Sequence, residues 1–188
     1  MPPMGHAIWV SRTHRSKVAL SFDMRATMIA TPYLLYLGNS TDPYAIKTAR
    51  GLAVFRPERC VAEYRSDDCP LTLGLPRMTF AEAAANGART MVLGIVNSGG
   101  TLGNDVIEDA IAAMEAGLDL ASGLHRRLKD EPRLVEAARR TGRTLHDVRD
   151  PPAGLTVGTG DPRPGNRLLT VGTDCSSGKM YTTLALQR

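Results

Sequence analysis

Between residues 30 and 150, short apolar runs and helical segments take turns, joined by only a few residues each time. Tyr33-Leu34-Leu35-Tyr36-Leu37 is closed by Gly38-Asn39-Ser40, the pattern of a buried strand meeting a turn. Asp42-Pro43 offers an N-cap and a first-turn proline for a helix running to about Val54. Cys60–Tyr64 reads as a second strand. Thr79-Phe80-Ala81-Glu82 is a capping box whose alanine-rich helix stops at Gly87. A third strand, Met91–Val96, runs into Asn97-Ser98-Gly99-Gly100. Asn104 then caps a helix that carries Val106, Ile107, Ala110, Ile111 and Met114 at helical spacing as far as Gly117. Leu118–Ala121 leads into Ser122-Gly123-Leu124-His125, a helix from Asp130 and Pro132 ends at Gly142, and a fifth strand covers Thr144–Val148. A helix between every two strands implies crossovers, and crossovers join parallel strands. The expected fold is therefore α/β: a Rossmann-like open parallel sheet with helices on both faces.

The domain spans residues 28–150. Residues 151–166, with Pro151, Pro152, Pro162, Pro164 and several glycines, read as an interdomain linker. Residues 1–27 form a leader whose composition breaks at Met28, so the natural start is expected at Met28. The leader carries Arg12, Arg15, Lys17 and Arg25 against Asp23, a net +3 of the chain's +4. The remainder is then only +1. A nucleic-acid partner needs a concentrated basic face, so none is expected. No run approaches the roughly 18–20 apolar residues of a membrane span, and no membrane partner is expected. Three cysteines, Cys60, Cys69 and Cys175, suit neither a disulfide framework nor a zinc site. A reducing, cytoplasmic compartment and no resident metal follow as expectations.

Residues 167–188 open a second domain. Leu168–Val171 is strand-like, and Gly172-Thr173-Asp174-Cys175-Ser176-Ser177-Gly178-Lys179 follows directly. Glycines let backbone N–H groups crowd around phosphate oxygens, a helix N-terminus adds its dipole, and lysine adds a charge. The strict P-loop pattern is G-x-x-x-x-G-K-[ST]. Here Thr173 stands at the first glycine position, and Met180 replaces the hydroxyl that holds magnesium. Phosphate binding is thus better supported than magnesium-dependent nucleotide hydrolysis, because a thioether is a poor magnesium ligand. The sequence ends at Arg188, before a P-loop fold is complete, so this length of chain is expected to be inactive by itself. An unpartnered apolar strand at Leu168–Val171 points to a homo-oligomer.

In open parallel sheets, ligands bind at the carboxyl ends of the strands. That position selects Gly38, Asn39, Asn97, Gly99, Gly100, Ser122 and Gly123, besides the phosphate loop, for binding a small-molecule cofactor or substrate. Turn geometry is the competing account of the glycines. His125 is placed to serve as a general base, with a structural histidine as the alternative. Arg149 is suited to grip a carboxylate, with a salt bridge to Asp147 or Asp150 as the alternative. Cys60 is expected in the core. The arginines and lysine at 126, 127, 129, 139, 140 and 143 read as solvated helix surface.

Four segments together resemble one family: Met28–Gly38, Asp119–His125, Asp147-Val148-Arg149, and Leu168–Tyr181 with its Gly-Thr-Asp-Cys-Ser-Ser-Gly-Lys-Met string. They are similar to the DgcN-type D-glutamate N-acetyltransferases, which join an N-terminal Rossmann-like domain to a C-terminal P-loop domain. The resemblance implies acetyl transfer from acetyl-CoA to the amine of D-glutamate or a related amino acid. It assigns no catalytic residue. A loop without the magnesium hydroxyl suits the phosphates of acetyl-CoA. Two further readings stay open. One is a P-loop ligase or kinase of the dethiobiotin-synthetase kind using ATP and magnesium. The other is a non-catalytic binding or oligomerisation module.

Overall fold

The computed structural model describes residues 29–96, 102–151, 157–158, 160–162, 164–173 and 178–187. The leader and the expected linker residues 152–156, 159 and 163 lie outside them. Among the described residues, five strands form one sheet: β1 (Tyr33–Gly38), β2 (Cys60–Arg65), β3 (Thr90–Leu93), β4 (Asp119–Ser122) and β5 (Leu145–Asp147). Their order is β2-β1-β3-β4-β5, and every pairing is parallel. Between them run α1 (Lys47–Phe55), α2 (Phe80–Ala85), α3 (Asn104–Glu115) and α4 (Pro132–Thr141). A fifth helix, α5 (Lys179–Gln187), follows the phosphate loop.

The alternation of side chains along β1 divides the core in two. Tyr36 reaches the α2–α4 side, where its hydroxyl donates to Asp109 of α3 at 2.7 Å and its ring stacks on Tyr64. Tyr64 in turn stacks on Phe80 of α2. Leu35 and its register partner Val92 face the other side, with Ala121 of β4 beside them, and there α1 packs. Helices thus cover both faces, as the alternating sequence required. All six residues of β1 are buried, because it pairs with a strand on each edge and carries helices above and below. Its near-continuous apolar sequence follows from that position.

The ends of the elements obey local chemistry. Thr79 and Glu82 form the full capping box, with Glu82 accepting from the Thr79 amide at 2.8 Å. Gly142 ends α4 in the left-handed region at φ 68°, a conformation that glycine adopts without steric cost. Three expectations are corrected. Asn104 is the first residue of α3 rather than its cap; Gly103 occupies the cap, and the Asn104 carboxamide accepts from Arg133 at 2.6 Å. Helix α1 begins at Lys47 rather than Pro43, because Asp42 spends its carboxylate on the Tyr44 amide in a turn (2.9 Å). Leu168–Val171 forms no strand: it has no strand beside it among the described residues, and Leu168, Leu169 and Val171 are largely exposed.

Candidate phosphate and acyl groove

The ends of β4 and β5 gather several of the expected residues. Ser122 closes β4, and its hydroxyl accepts from the Leu124 amide at 3.1 Å, which fixes the turn toward His125. Gly123 sits against Val148, whose methyl lies 3.4 Å from the position of an added Cβ. His125 Nε2 lies 3.4 Å from a guanidinium nitrogen of Arg149. The two catalytic choices are therefore neighbours, although 24 residues apart. A guanidinium can only donate, so this contact engages the Nε2 lone pair.

The alternative salt bridge of Arg149 does not form among the described residues. Asp147 caps the short turn Leu128–Asp130, accepting from the Leu128 amide at 2.6 Å and the Lys129 amide at 3.3 Å. Asp150 pairs with Arg127 at 2.7 Å, and that guanidinium holds its carboxyl below the usual range. Both acids are engaged, and Arg149 reaches the imidazole instead. Of the other basic residues, Arg126, Lys129, Arg139 and Arg140 are exposed, and Arg126 pairs with Glu131, Arg139 with Glu136 and Arg140 with Glu115. Arg143 is instead half-buried and donates to the Gly117 carbonyl at 3.1 Å.

Two cavities flank the contact between α1 and α5. The first, about 290 Å3, is apolar and lies over the α1 side of β3 and β4; Tyr33, Gly51, Phe55, Val92, Ala121, Val148 and Leu184 line it. Ser122 and Gly123 form its end at β4. The second, about 590 Å3, is lined by Tyr44, Lys47, Arg50, Gly178, Lys179 and Tyr181 among others. Thr48 and Met180 line both. Met180 thus turns a thioether side chain toward an apolar cavity at the position where a P-loop carries its magnesium hydroxyl. Gly178 has φ 86° and turns the chain into α5.

The helix that completes this site gave only one sequence signal. Gly51 interrupts α1, which costs about 1 kcal/mol relative to alanine, and such a residue often marks a close approach. Here an added Cβ would stand 3.4 Å from the Tyr181 hydroxyl. That hydroxyl donates to the Lys47 carbonyl at 2.9 Å, and the Tyr181 ring meets Phe55 edge to face at 5.4 Å. Gly94 is a second close approach, with an added Cβ only 2.3 Å from that of Ala49.

The remaining expected residues stand apart. Gly38 ends β1 at φ 57°, and the Asn39 carboxamide donates to Asp105 of α3 at 3.2 Å; neither lines the two cavities. Gly172 and Thr173 are exposed. Asn97, Gly99, Gly100, Asp174, Cys175, Ser176 and Ser177 lie outside the described residues. Cys60 is half-buried rather than fully so, and burial pushes its thiol up to about 11, far from a reactive thiolate. No helix among the described residues is long and apolar enough to cross a membrane.

Residues 62–151 match the DUF1611 N-terminal Rossmann-like domain, and residues 156–188 match the DUF1611 C-terminal P-loop domain, both described as domains of unknown function. A D-glutamate N-acetyltransferase of Tritonibacter scottomollicae is 49% identical over 85% of this chain and 48% of its own length. One from a Pseudoalteromonas species is 44% identical over the same shares. The chain thus spans about half the length of these curated relatives. A crystal structure of a DUF1611 family protein from Anabaena variabilis superposes with a TM-score of 0.67 at 30% identity, covering 84% of this chain and 48% of that one. With both domain types matched in order along one sequence, the chain belongs to the DUF1611 family.

Proposed function

We propose that the chain is the N-terminal part of an acetyl-CoA-dependent N-acetyltransferase acting on D-glutamate or a related amino acid. The observation that carries this reading is the adjacency of two cavities of opposite character beside the phosphate loop. Acetyl-CoA joins a diphosphate to a long, weakly polar arm that ends in a thioester. The cationic cavity at Gly178 and Lys179 suits the diphosphate, and the apolar cavity at Met180, Phe55 and Ala121 suits the arm. Both relatives bear the name D-glutamate N-acetyltransferase, which supports the same substrate.

The coenzyme supplies an activated acyl group. The residues of this chain have two tasks: to hold the amino acid, and to take the proton that its ammonium must lose before attack. Arg149 is suited to a bidentate pair with a substrate carboxylate. Drawn into that pair, it releases the His125 Nε2 lone pair, and the imidazole can then accept the proton. Met180 supports a phosphate ligand held without magnesium at that position, since sulfur is a poor partner for so hard a cation.

The test is an assay of thiol release on mixing D-glutamate and acetyl-CoA with the chain completed by the C-terminal half of the Tritonibacter relative. Activity is expected, with His125→Ala and Arg149→Ala each lowering it about 100-fold or more. Full activity in both variants would remove these residues from the reaction.

A further inference from the structure

The turns that carry His125 and Arg149 are stitched together on both sides of the contact they share. On one side the Val148 amide donates to the Ser122 carbonyl at 2.9 Å, which extends the pairing of β4 and β5 to the residue before Arg149. On the other, Arg127 pairs with Asp150, the residue after Arg149, at 2.7 Å. Asp147, the last residue of β5, reaches both turns. Its carboxylate accepts from the Leu128 and Lys129 amides at 2.6 and 3.3 Å. Its carbonyl accepts from the Asp150 amide at 3.1 Å and so closes the turn that holds Arg149.

Local chemistry explains why a carboxylate stands there. The first amides of the Leu128–Asp130 turn have no partner inside it. A charged acceptor satisfies them with stronger bonds than a neutral one would. At the near end of the same loop, the Ser122 hydroxyl accepts from the Leu124 amide at 3.1 Å. Only His125, Arg126 and Arg127 therefore lie between two anchored amides. None of these bonds uses the imidazole or the Arg149 guanidinium. They can fix the separation of the two groups, 3.4 Å, while leaving both open to a ligand.

We propose that Asp147 is a positioning residue: its carboxylate sets where His125 stands against Arg149, and thereby how the base meets a bound amine. The link to the amine rests on the roles given to His125 and Arg149 above; the link to their contact does not.

The contact is read directly by the ring nitrogen resonances of His125 in the 188-residue chain, identified by their loss in His125→Gln. Asp147→Ala should move the Nε2 resonance in the same direction as Arg149→Gln. The double variant should match Arg149→Gln alone, because coupled residues are not additive. Asp147→Asn keeps one acceptor oxygen for the Leu128 amide and should move the resonance less. If Asp147→Ala does not unfold cooperatively, the same cycle is run with Asp147→Asn, whose smaller shift should vanish beside Arg149→Gln. An unmoved resonance in the folded variants would overturn the proposal, as would a shift that persists in full without Arg149. In the chain completed by a relative's C-terminal half, Asp147→Ala should lower kcat about 10–100-fold, the cost of a misplaced catalytic group, with KM for D-glutamate little changed. A loss confined to KM would overturn the assignment to His125. If the completed chain releases no thiol while the resonance cycle holds, the acyltransferase reading falls and the placement of His125 by Asp147 stands.

Discussion

Tyr33–Leu37 and Leu168–Val171 are similar strings with opposite fates. Both are apolar runs ahead of a glycine turn. The first is β1, with β2 and β3 on its two edges and Leu34, Leu35 and Leu37 wholly buried. The second has no strand beside it among the described residues, and Leu169 is 80% exposed. Strand preference is mostly a preference for a pleated, half-buried surface, and it is realised only where neighbours supply one. The first domain provides those neighbours from its own sequence. Helix α5 instead leans on α1, through Tyr181, Phe55 and Gly51.

The sharpest way to break this contrast is to remove the same side chain from each string. Leu35→Ala should cost about 2–5 kcal/mol, as for other fully buried leucines. Leu169→Ala should stay within about 0.5 kcal/mol. Urea denaturation of both variants checks this, and equal losses would mean that the second string is as buried as the first.

A smaller effect is expected where α1 touches the sheet. In Gly94→Ala the new methyl meets the Ala49 Cβ at 2.3 Å and its backbone at 2.9 Å. The Ala49 amide also donates to the Gly94 carbonyl at 3.2 Å, so neither side yields easily. Overpacking of this kind costs about 1–3 kcal/mol. A midpoint unchanged from the parent would show that α1 shifts freely.

The smallest effect concerns pH. Burial raises the Asp109 carboxyl above its ordinary value of 3.8, although its bonds from Tyr36 and Tyr64 oppose the shift. A native carboxyl that holds its proton longer than the unfolded one favours folding below 3.8, and that contribution is lost as pH rises through the native value. Glu82 is shifted the opposite way by Thr79, so the total profile mixes signs. The difference between parent and Asp109→Asn isolates the one group. It should fall as pH rises from about 3 to 7, and a flat difference in thermal midpoints would contradict the assignment.

What the sequence disclosed was whatever is decided locally. The capping box at Thr79 and Glu82, the left-handed Gly142 and the five alternating strands each depend on residues a few positions apart, or on period alone. What it concealed was decided by competition at a distance. Asp147 and Asp150 were equal partners for Arg149 on paper. In the fold, the amides of the Leu128–Asp130 turn claim one and Arg127 claims the other, which leaves Arg149 beside His125. Position alone marked Ser122 and Gly123 at a strand end, and Gly178 and Lys179 at the start of α5, as cavity-lining residues. What stayed hidden was the part played by α1, where Gly51 looks like an ordinary helix glycine until Tyr181 brings α5 against it.

The central claim is that the groove beside Lys179 takes the phosphates of acetyl-CoA without magnesium. Calorimetry of the chain completed by a relative's C-terminal half, with acetyl-CoA and separately with ATP and magnesium, tests it most directly. Acetyl-CoA should bind in the absence of magnesium, and Lys179→Ala should weaken it by about 1.5–3 kcal/mol, the worth of a hydrogen bond to a charged group. Magnesium-dependent binding of ATP with no response to acetyl-CoA would contradict the claim and favour a nucleotide-dependent ligase.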